Sequence, residues 1–365
     1  MTAKKLIIPL VMAAFIVCLI VPLLSAAAQR PQDKSKQAKS EERIFIPKEI
    51  KAVLEEGLLT KQGRRDIPVS IFYNLFLPAR ENLHAIIFLK IKNSGLGFSP
   101  VGAAVAPKTG KISGPALQEA VAQETVQLQA SFNVFLEFNR LEKGEPKSFR
   151  EAYVPSSAQV QGGTFDPEKE ETYAVGYPLP PGQYLLALAV TSLDLQKIGT
   201  AYYEFTLPDT ASFTKELETT PVFFVKQLEQ MEAPETRTTL HQGYCTYSIL
   251  KIVPNLEKVF VAGDNLDIFY FIFGVQPNEQ QKFDLEVNYE VKKGDDSAIR
   301  WTLQKYESPL VSQPLPLKQT VQIKTGEEER TEQRDLAPGN YTLIIKIDDK
   351  VSAKSVTKTV DFEVK

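Results

Sequence analysis

The sequence is poor in the residues that carry most metal and acid–base chemistry. Its 365 residues include two histidines and two cysteines. Metal centres and general acid–base catalysis need such groups in clusters. No G-x-S-x-G, H-E-x-x-H, phosphate-binding glycine loop or dinucleotide motif occurs either. We therefore predict a protein that is not an enzyme and holds no cofactor.

An excess of positive charge is also missing. The formal net charge is −3, and removal of residues 1–28, which carry two lysines and no acids, gives −3 − 2 = −5. Proteins that bind nucleic acid neutralise phosphates with clustered lysine and arginine. The charge therefore argues against a nucleic-acid partner.

The first 28 residues are typical of a secretory signal peptide. Lys4 and Lys5 precede an uncharged apolar run at 6–24, and small residues follow at 25–28. An uncleaved anchor remains the second interpretation, because about 20 apolar residues can span a bilayer. No later run is long enough, so we expect no membrane span after cleavage. The predicted location is the periplasm, the cell surface or the medium.

Cleavage leaves Cys245 as the last cysteine, which excludes an intrachain disulfide. It lies in the alternating run 244–249, where a thiol acts as a small core side chain. We predict that Cys245 is buried and unreactive.

The mature chain of 365 − 28 = 337 residues is long enough for two domains. Residues 29–45 have little to bury, so they predict a disordered tether. A short helix is predicted at 46–66, because Pro47 suits a helix start and Ile50 and Leu54 recur at helical spacing. From residue 67 onward, short runs rich in β-branched and aromatic residues predict strands.

An internal repeat organises the β region. The pattern L-x-P-G-x-Y-x-L occurs at 179–186 and again at 336–343, with an offset of 341 − 184 = 157. Tyr184 and Tyr341 are each followed 21 residues later by a phenylalanine, Phe205 and Phe362 (205 − 184 = 362 − 341 = 21). Two copies of one closing hairpin are therefore predicted. In each copy Pro-Gly would form a type II turn, and the tyrosine hydroxyl would bond to the backbone at the corner.

This element resembles the tyrosine corner of fibronectin type III and related immunoglobulin-like sandwiches. The resemblance covers about ten residues in each copy, and it implies two tandem Ig-like β-sandwich domains in an all-β fold. A weaker resemblance exists to secreted bacterial proteins with GWxTD repeats, whose sandwiches end in similar strands. The naming motif itself is absent here.

The repeat sets the predicted boundaries. The first sandwich spans 67–208, a linker spans 209–219, and the second sandwich spans 220–365. A second upstream match, at 81–84 and 264–267, has an offset of 264 − 81 = 183. The difference, 183 − 157 = 26, predicts an insert in the first copy at about 95–123. Insertions of this kind are placed in surface loops.

Two strands are apolar on both faces, whereas a strand of a sandwich ordinarily has one polar face in contact with water. Intrachain cover by the helix, the insert or the other domain would explain them. A docking surface for another protein is the alternative. The residues of that possible partner-binding face are Ile86, Phe88, Phe269, Phe271 and Phe273. A sheet edge that accepts an added strand is the other candidate partner site.

The remaining polar residues have ordinary interpretations. His84 and its repeat counterpart Asp267 are expected at solvated strand ends. His241 and Cys245 are about 13 Å apart on an extended strand, too far for a thiol–imidazole pair. The acid pairs 264 with 267, 295 with 296 and 348 with 349 are expected in turns, although Ca²⁺ uses such oxygens.

Together these features predict an exported, non-catalytic interaction or structural module whose partner is another envelope or extracellular protein. A carbohydrate-binding module is a second interpretation, but Tyr202 with Tyr203, and Trp301 with Tyr306, point to opposite strand faces. A secreted hydrolase is the third. Its site would use loop carboxylates of the first domain such as Asp166, Glu168 and Glu170, without a positioned partner.

Overall fold

The computed structural model describes residues 46–101, 126–325 and 328–365. These described residues belong to one compact unit. The predicted signal peptide and tether, and most of the predicted insert, lie outside the described residues. The described chain consists mainly of antiparallel sheets with two α-helices, so the predicted all-β class is confirmed. Neither of these helices has the length and apolar character needed to cross a membrane.

The predicted N-terminal helix forms over part of its range. Helix α1 spans Lys48–Leu58, and Pro47 occupies the N-cap position immediately before it. The helix passes through Gly57 and ends one residue later. The expected apolar stripe is present, since Ile50 and Leu54 are fully buried. A second helix, α2, is a single turn at Asn93–Leu96.

Two sheets enclose a first apolar core, and we call this part the first sandwich. In sheet I, β4 pairs with β5, β7 and the short β3, and β7 pairs with β8. In sheet II the order is β1-β2-β6-β11. The strands are β1 (Val69–Ala79), β2 (Asn82–Lys92), β3 (Ser99–Pro100), β4 (Gln127–Glu142), β5 (Glu145–Gln161), β6 (Glu170–Leu179), β7 (Gly182–Ser192), β8 (Ile198–Leu207) and β11 (Leu240–Gln242).

Two further sheets enclose a second core and form the second sandwich. Sheet III has the order β12-β13-β10-β15-β19, with β9 also paired to β15. Sheet IV has the order β14-β23-β22-β16-β17, with β18 also paired to β16. The strands are β9 (Glu218–Thr219), β10 (Phe223–Gln230), β12 (Cys245–Tyr247), β13 (Leu250–Pro254), β14 (Val259–Phe260), β15 (Asn265–Phe273), β16 (Leu285–Lys293), β17 (Asp296–Arg300), β18 (Gln304–Tyr306), β19 (Leu310–Pro316), β22 (Gly339–Asp349) and β23 (Lys354–Val364).

A two-stranded ribbon extends from the second sandwich. It is formed by β20 (Lys318–Thr325) and β21 (Glu328–Asp335). Two acidic residues, Glu328 and Glu329, begin β21. The ribbon is exposed over most of the positions whose burial is described.

The two closing hairpins match each other as the repeat predicts. Tyr184 pairs with Phe205 across β7 and β8, and Tyr341 pairs with Phe362 across β22 and β23. The rings stack with centroids 5.5 and 5.7 Å apart. Each tyrosine hydroxyl donates to the carbonyl four residues earlier, at 2.8 Å to Pro180 O and 2.7 Å to Ala337 O. Both corners therefore have the predicted hydrogen bond.

The type II turn predicted at each corner was wrong. Gly182 and Gly339 have φ of +157° and +150°, whereas the third residue of a type II turn has φ near +80°. The glycines instead open the strands directly in a region that is almost closed to other residues. A cation braces each corner from the neighbouring strand, because Arg140 donates to Pro181 O at 3.1 Å and Lys293 to Pro338 O at 3.5 Å.

The connector predicted as a polar linker at 209–219 is packed. It contains a 3₁₀ turn at Thr210–Thr214 and strand β9. Phe213 stacks on Phe273 with centroids 5.3 Å apart, and Leu217 is buried in the second core. Apolar residues within the polar stretch therefore fasten it to both sandwiches.

Candidate functional site

The strands that are apolar on both faces meet each other at the centre of the molecule. Their outer faces form a third core between sheets II and III, so the four sheets stack with three apolar layers between them. Ile86, Phe88 and Phe269 are at most 1% exposed in this third core. Phe273 is buried in the first core, and Phe271 is half-buried against it. Four of the five residues of the sequence-predicted partner face are thus buried by the chain itself, and Phe271 is partly covered.

An exchanged strand, β11, joins the two sandwiches. After β10 in sheet III, the chain crosses to the first sandwich, where β11 adds to the edge of β6 with Leu240 opposite Val175. It then turns at Gly243, which has φ +80°, and returns to sheet III as β12. Sequence reasoning missed this exchange, because a strand of three residues has no readable alternation.

Both histidines of the chain lie at this strand exchange. His241 Nε2 is 2.9 Å from Glu235 Oε2, and the same oxygen accepts a hydrogen bond from Thr246 Oγ1 at 3.0 Å. His84 lies beside Tyr247 with ring centroids 6.4 Å apart. Its Nε2 has no hydrogen-bond partner, and burial lowers its pKa. The solvated strand end expected for His84 was therefore wrong.

The repeat counterpart of His84 behaves in the same way. Asp267 Oδ1 is buried without a hydrogen-bond partner, and burial raises the pKa of this carboxyl. His84 at the start of β2 and Asp267 at the start of β15 thus both have a pKa shifted by burial toward the neutral form. The reason is that β2 and β15 each turn this face toward the other sandwich, which the sequence pattern alone does not show.

Cys245 lies in the third core as an apolar side chain. It is 2% exposed and unpaired. Burial raises the pKa of its thiol to about 12, so the thiolate form is suppressed. His241 and Cys245 are on different strands, with the Gly243 turn between them. The thiol has the buried position predicted for it.

Two of the acids considered for calcium, Asp349 and Asp264, accept hydrogen bonds within turns. Asp349 is 1% exposed and accepts hydrogen bonds from Gln276 N, Val351 N and Ser352 Oγ. Asp264 Oδ2 accepts from Val261 N at 2.9 Å. Across the described ranges, no group of three or more histidine, cysteine, aspartate or glutamate side chains is placed to hold a metal ion.

The carboxylates of the hydrolase alternative serve local structure. Asp166 Oδ1 accepts the N–H of Glu168, and Glu168 pairs with Lys92. Glu170 is exposed at the start of β6. This arrangement supplies no general acid placed opposite a general base.

The aromatic pairs considered for sugar binding are separated by their contacts. Tyr202 donates to the α1 carbonyls of Val53 and Leu54, while the Tyr203 hydroxyl donates to Asn74 Oδ1 at 3.1 Å. Trp301 packs against the second core, and the Tyr306 hydroxyl lies 2.9 Å from that of Tyr289. These rings do not share one exposed surface.

A shallow groove of about 410 Å³ lies beside the junction. It is lined by residues of β23, by the 219–222 segment and by Phe76 of the first sandwich. Lys258, Lys358 and Asp361 bring charges of both signs to it. Lys358 pairs with Glu218, and Asp361 Oδ1 accepts a hydrogen bond from Thr342 Oγ1. The sequence indicates a sheet edge as a candidate site but does not identify which edge.

No protein-family model matches the chain, and the curated proteins contain no match either.

Proposed function

We propose that the protein is an exported, non-catalytic interaction or structural module of the periplasm or cell surface. In this proposal, two Ig-like sandwiches act as one rigid body that holds binding surfaces at a fixed separation. A partner would be another envelope or extracellular protein. The signal-like residues 1–28 support export, and the low histidine content supports a non-catalytic role.

The fused junction is the observation that carries the proposal. Ordinary contacts between domains of one chain are modest and polar, so relative motion is expected. Here a buried apolar layer and the exchanged strand β11 join the sandwiches. A junction of this kind fixes the angle between them, which suits a spacer or presenting module.

Rigidity can be tested by calorimetry on the full chain. We expect one cooperative unfolding transition, because neither sandwich unfolds without exposing the third core. Phe88→Ala, which opens that core, should lower the transition temperature and broaden or split the transition. The control is Leu193→Ala, whose side chain is 65% exposed. Two well-separated transitions in the unmodified protein would contradict the rigid-body proposal.

The interaction role requires a test in the native host. Cell fractionation should place the full chain in the envelope or the medium, and in-cell cross-linking followed by mass spectrometry should give reproducible protein adducts. Phe88→Ala should weaken these adducts, and Leu193→Ala should not. A chain that stays in the cytoplasm, or that enriches a glycan or small metabolite and no protein, overturns the proposal.

A further inference from the structure

The outer edge of β23 is an unpaired sheet edge. The N–H groups of Glu363 and Lys365 point away from β22, because they donate to Lys258 O and Phe260 O at 2.9 Å. Main-chain groups alternate in direction along an antiparallel strand. The pairing of β22 with β23 runs without a register shift, so the N–H groups of Thr357, Thr359 and Asp361 also point outward. Within the residues that the structure describes, these three find no acceptor.

Other long edges of the sandwiches are blocked. Pro155 interrupts β5, whose Gln159 N–H is already bonded to Gln242. Pro314 and Pro316 interrupt β19. Residues 64–66 pair with β8, and β1 lies against β8. Prolines and covering segments are common protections of sheet edges. Outside the exposed β20–β21 ribbon, residues 355–361 form the long proline-free edge that is left open in the described chain.

The groove described above lies beside this open edge. Its walls include the partly buried apolar side chains of Phe76, Pro221 and Val222. Lys258 also lines the groove, and it has no ion pair with another described residue. Lys358 is already paired with Glu218. The free cation of the groove is therefore Lys258.

We propose that residues 355–361 of β23 bind an extended segment of a partner protein by strand addition. The outward N–H and C=O groups pair with the backbone of the segment. An apolar side chain of the segment enters the groove between Phe76 and Val222. A carboxylate two residues away, which lies on the same face of an extended chain, pairs with Lys258. This inference rests on the proposed interaction function and specifies its site and the chemistry of its partner.

Peptide selection on the purified full chain tests the proposal. A phage-displayed library of random 12-residue peptides is the probe. We expect enriched peptides to contain an apolar residue and an acidic residue spaced by two, without proline between them. Lysine-rich sequences, or no enrichment, would overturn the proposal.

Two substitutions test the geometry. Thr359→Pro removes an outward N–H that the β22–β23 ladder does not use, and the selected peptide should bind at least about tenfold more weakly. The control is Ser157→Pro, at an outward position on β5, which should leave binding unchanged. Lys258→Glu should also weaken binding at least about tenfold, and it keeps the test valid if Thr359→Pro fails to fold. Unchanged binding in folded Thr359→Pro or in Lys258→Glu overturns the proposal.

Hydrogen exchange locates the bound peptide. Addition of the selected peptide should slow exchange at Thr357, Thr359 and Asp361. Protection elsewhere overturns the site. The alternative occupant is a second copy of this chain, and analytical sedimentation tests it. A dimer that dissociates in the Thr359→Pro variant would mean that a second copy occupies this edge. If protein adducts form in the envelope but Thr359→Pro leaves them unchanged, the edge assignment fails while the proposed function stands.

Discussion

The outer faces of sheets I and IV are corresponding surfaces of the two copies, yet they have opposite surroundings. Glu137 is opposite Ala187 in sheet I, and Glu290 is opposite Ile344 in sheet IV. The positions correspond, since 344 − 187 = 157, the offset of the repeat. Helix α1 covers the face of Glu137, whereas ion pairs such as Arg300–Glu290 and Lys346–Asp348 lie on the face of Glu290.

The pKa of a glutamate is therefore shifted in opposite directions in the two copies. Glu137 is 2% exposed, its Oε2 has no hydrogen-bond partner, and burial raises its pKa. Glu290 has its pKa lowered by hydrogen bonds from Ser297 and Arg300. The comparison teaches that corresponding strands can both carry a carboxylate while their different surroundings shift its pKa in opposite directions.

The largest expected effect comes from opening the cover over sheet I. Leu54 of α1 is fully buried, so Leu54→Ala should lower the free energy of unfolding by about 2–5 kcal/mol. The matched control is Ile344→Ala on the uncovered face, where the side chain is half-buried and the cost should be less than half as large. Urea denaturation of both variants measures this. Equal losses would mean that α1 does not distinguish the two faces.

The tyrosine corners should behave alike, in contrast to the outer faces. Tyr184→Phe and Tyr341→Phe each remove one hydroxyl-to-carbonyl hydrogen bond while keeping the ring stack. Each should lower the free energy of unfolding by about 1 kcal/mol. Thermal and urea unfolding of the two variants provide the measurement, and a marked difference between them would show that the corners are not equivalent.

Neutral replacements of the paired glutamates should act in opposite directions. At pH 7, Glu137→Gln should raise the free energy of unfolding by about 1 kcal/mol, because it removes a charge from a buried site that lacks a full set of hydrogen bonds. Glu290→Gln should lower it by less than about 1 kcal/mol, since exposed ion pairs contribute little. Urea unfolding of both variants checks the signs.

The pH dependence sharpens this contrast. The folded pKa of Glu137 is raised above the ordinary 4.5, so its contribution to stability is present below pH 4.5 and is lost as pH rises through the folded pKa. The folded pKa of Glu290 is lowered, so its contribution is present above pH 4.5 and is lost as pH falls. Each glutamine variant should remove its own slope. Slopes of the same sign would contradict the comparison.

The smallest expected effect is at the junction. The pKa of His84 lies below its ordinary 6.5 in the folded protein. The unfolded chain therefore takes up a proton first as pH falls, and stability should decrease below pH 6.5, with a slope of at most one proton. His84→Gln should flatten that slope, while Leu193→Ala should not. Because the chain has two histidines, an NMR titration of their ring signals gives a direct measurement.

Local features explain what sequence reasoning predicted well. Strand alternation has a period of two residues, and the corner motif requires only ten consecutive residues, so the hairpins around Tyr184 and Tyr341 were readable. The burial of Cys245 followed from the same alternation. The prediction failed where a residue's environment depends on residues that are distant in the sequence, as at His84 and Asp267.

By itself, the sequence determined that this protein is built from strands and that a closing hairpin is repeated with its tyrosine corner. It also showed that β2 and β15 needed cover on a second face. Only the tertiary structure decided that these two faces cover each other, that β11 crosses to the first sandwich, and that the open edge lies at β23. The physical reason is that alternation and turn chemistry act between near neighbours, whereas the cover of a face is a contact between residues more than a hundred positions apart.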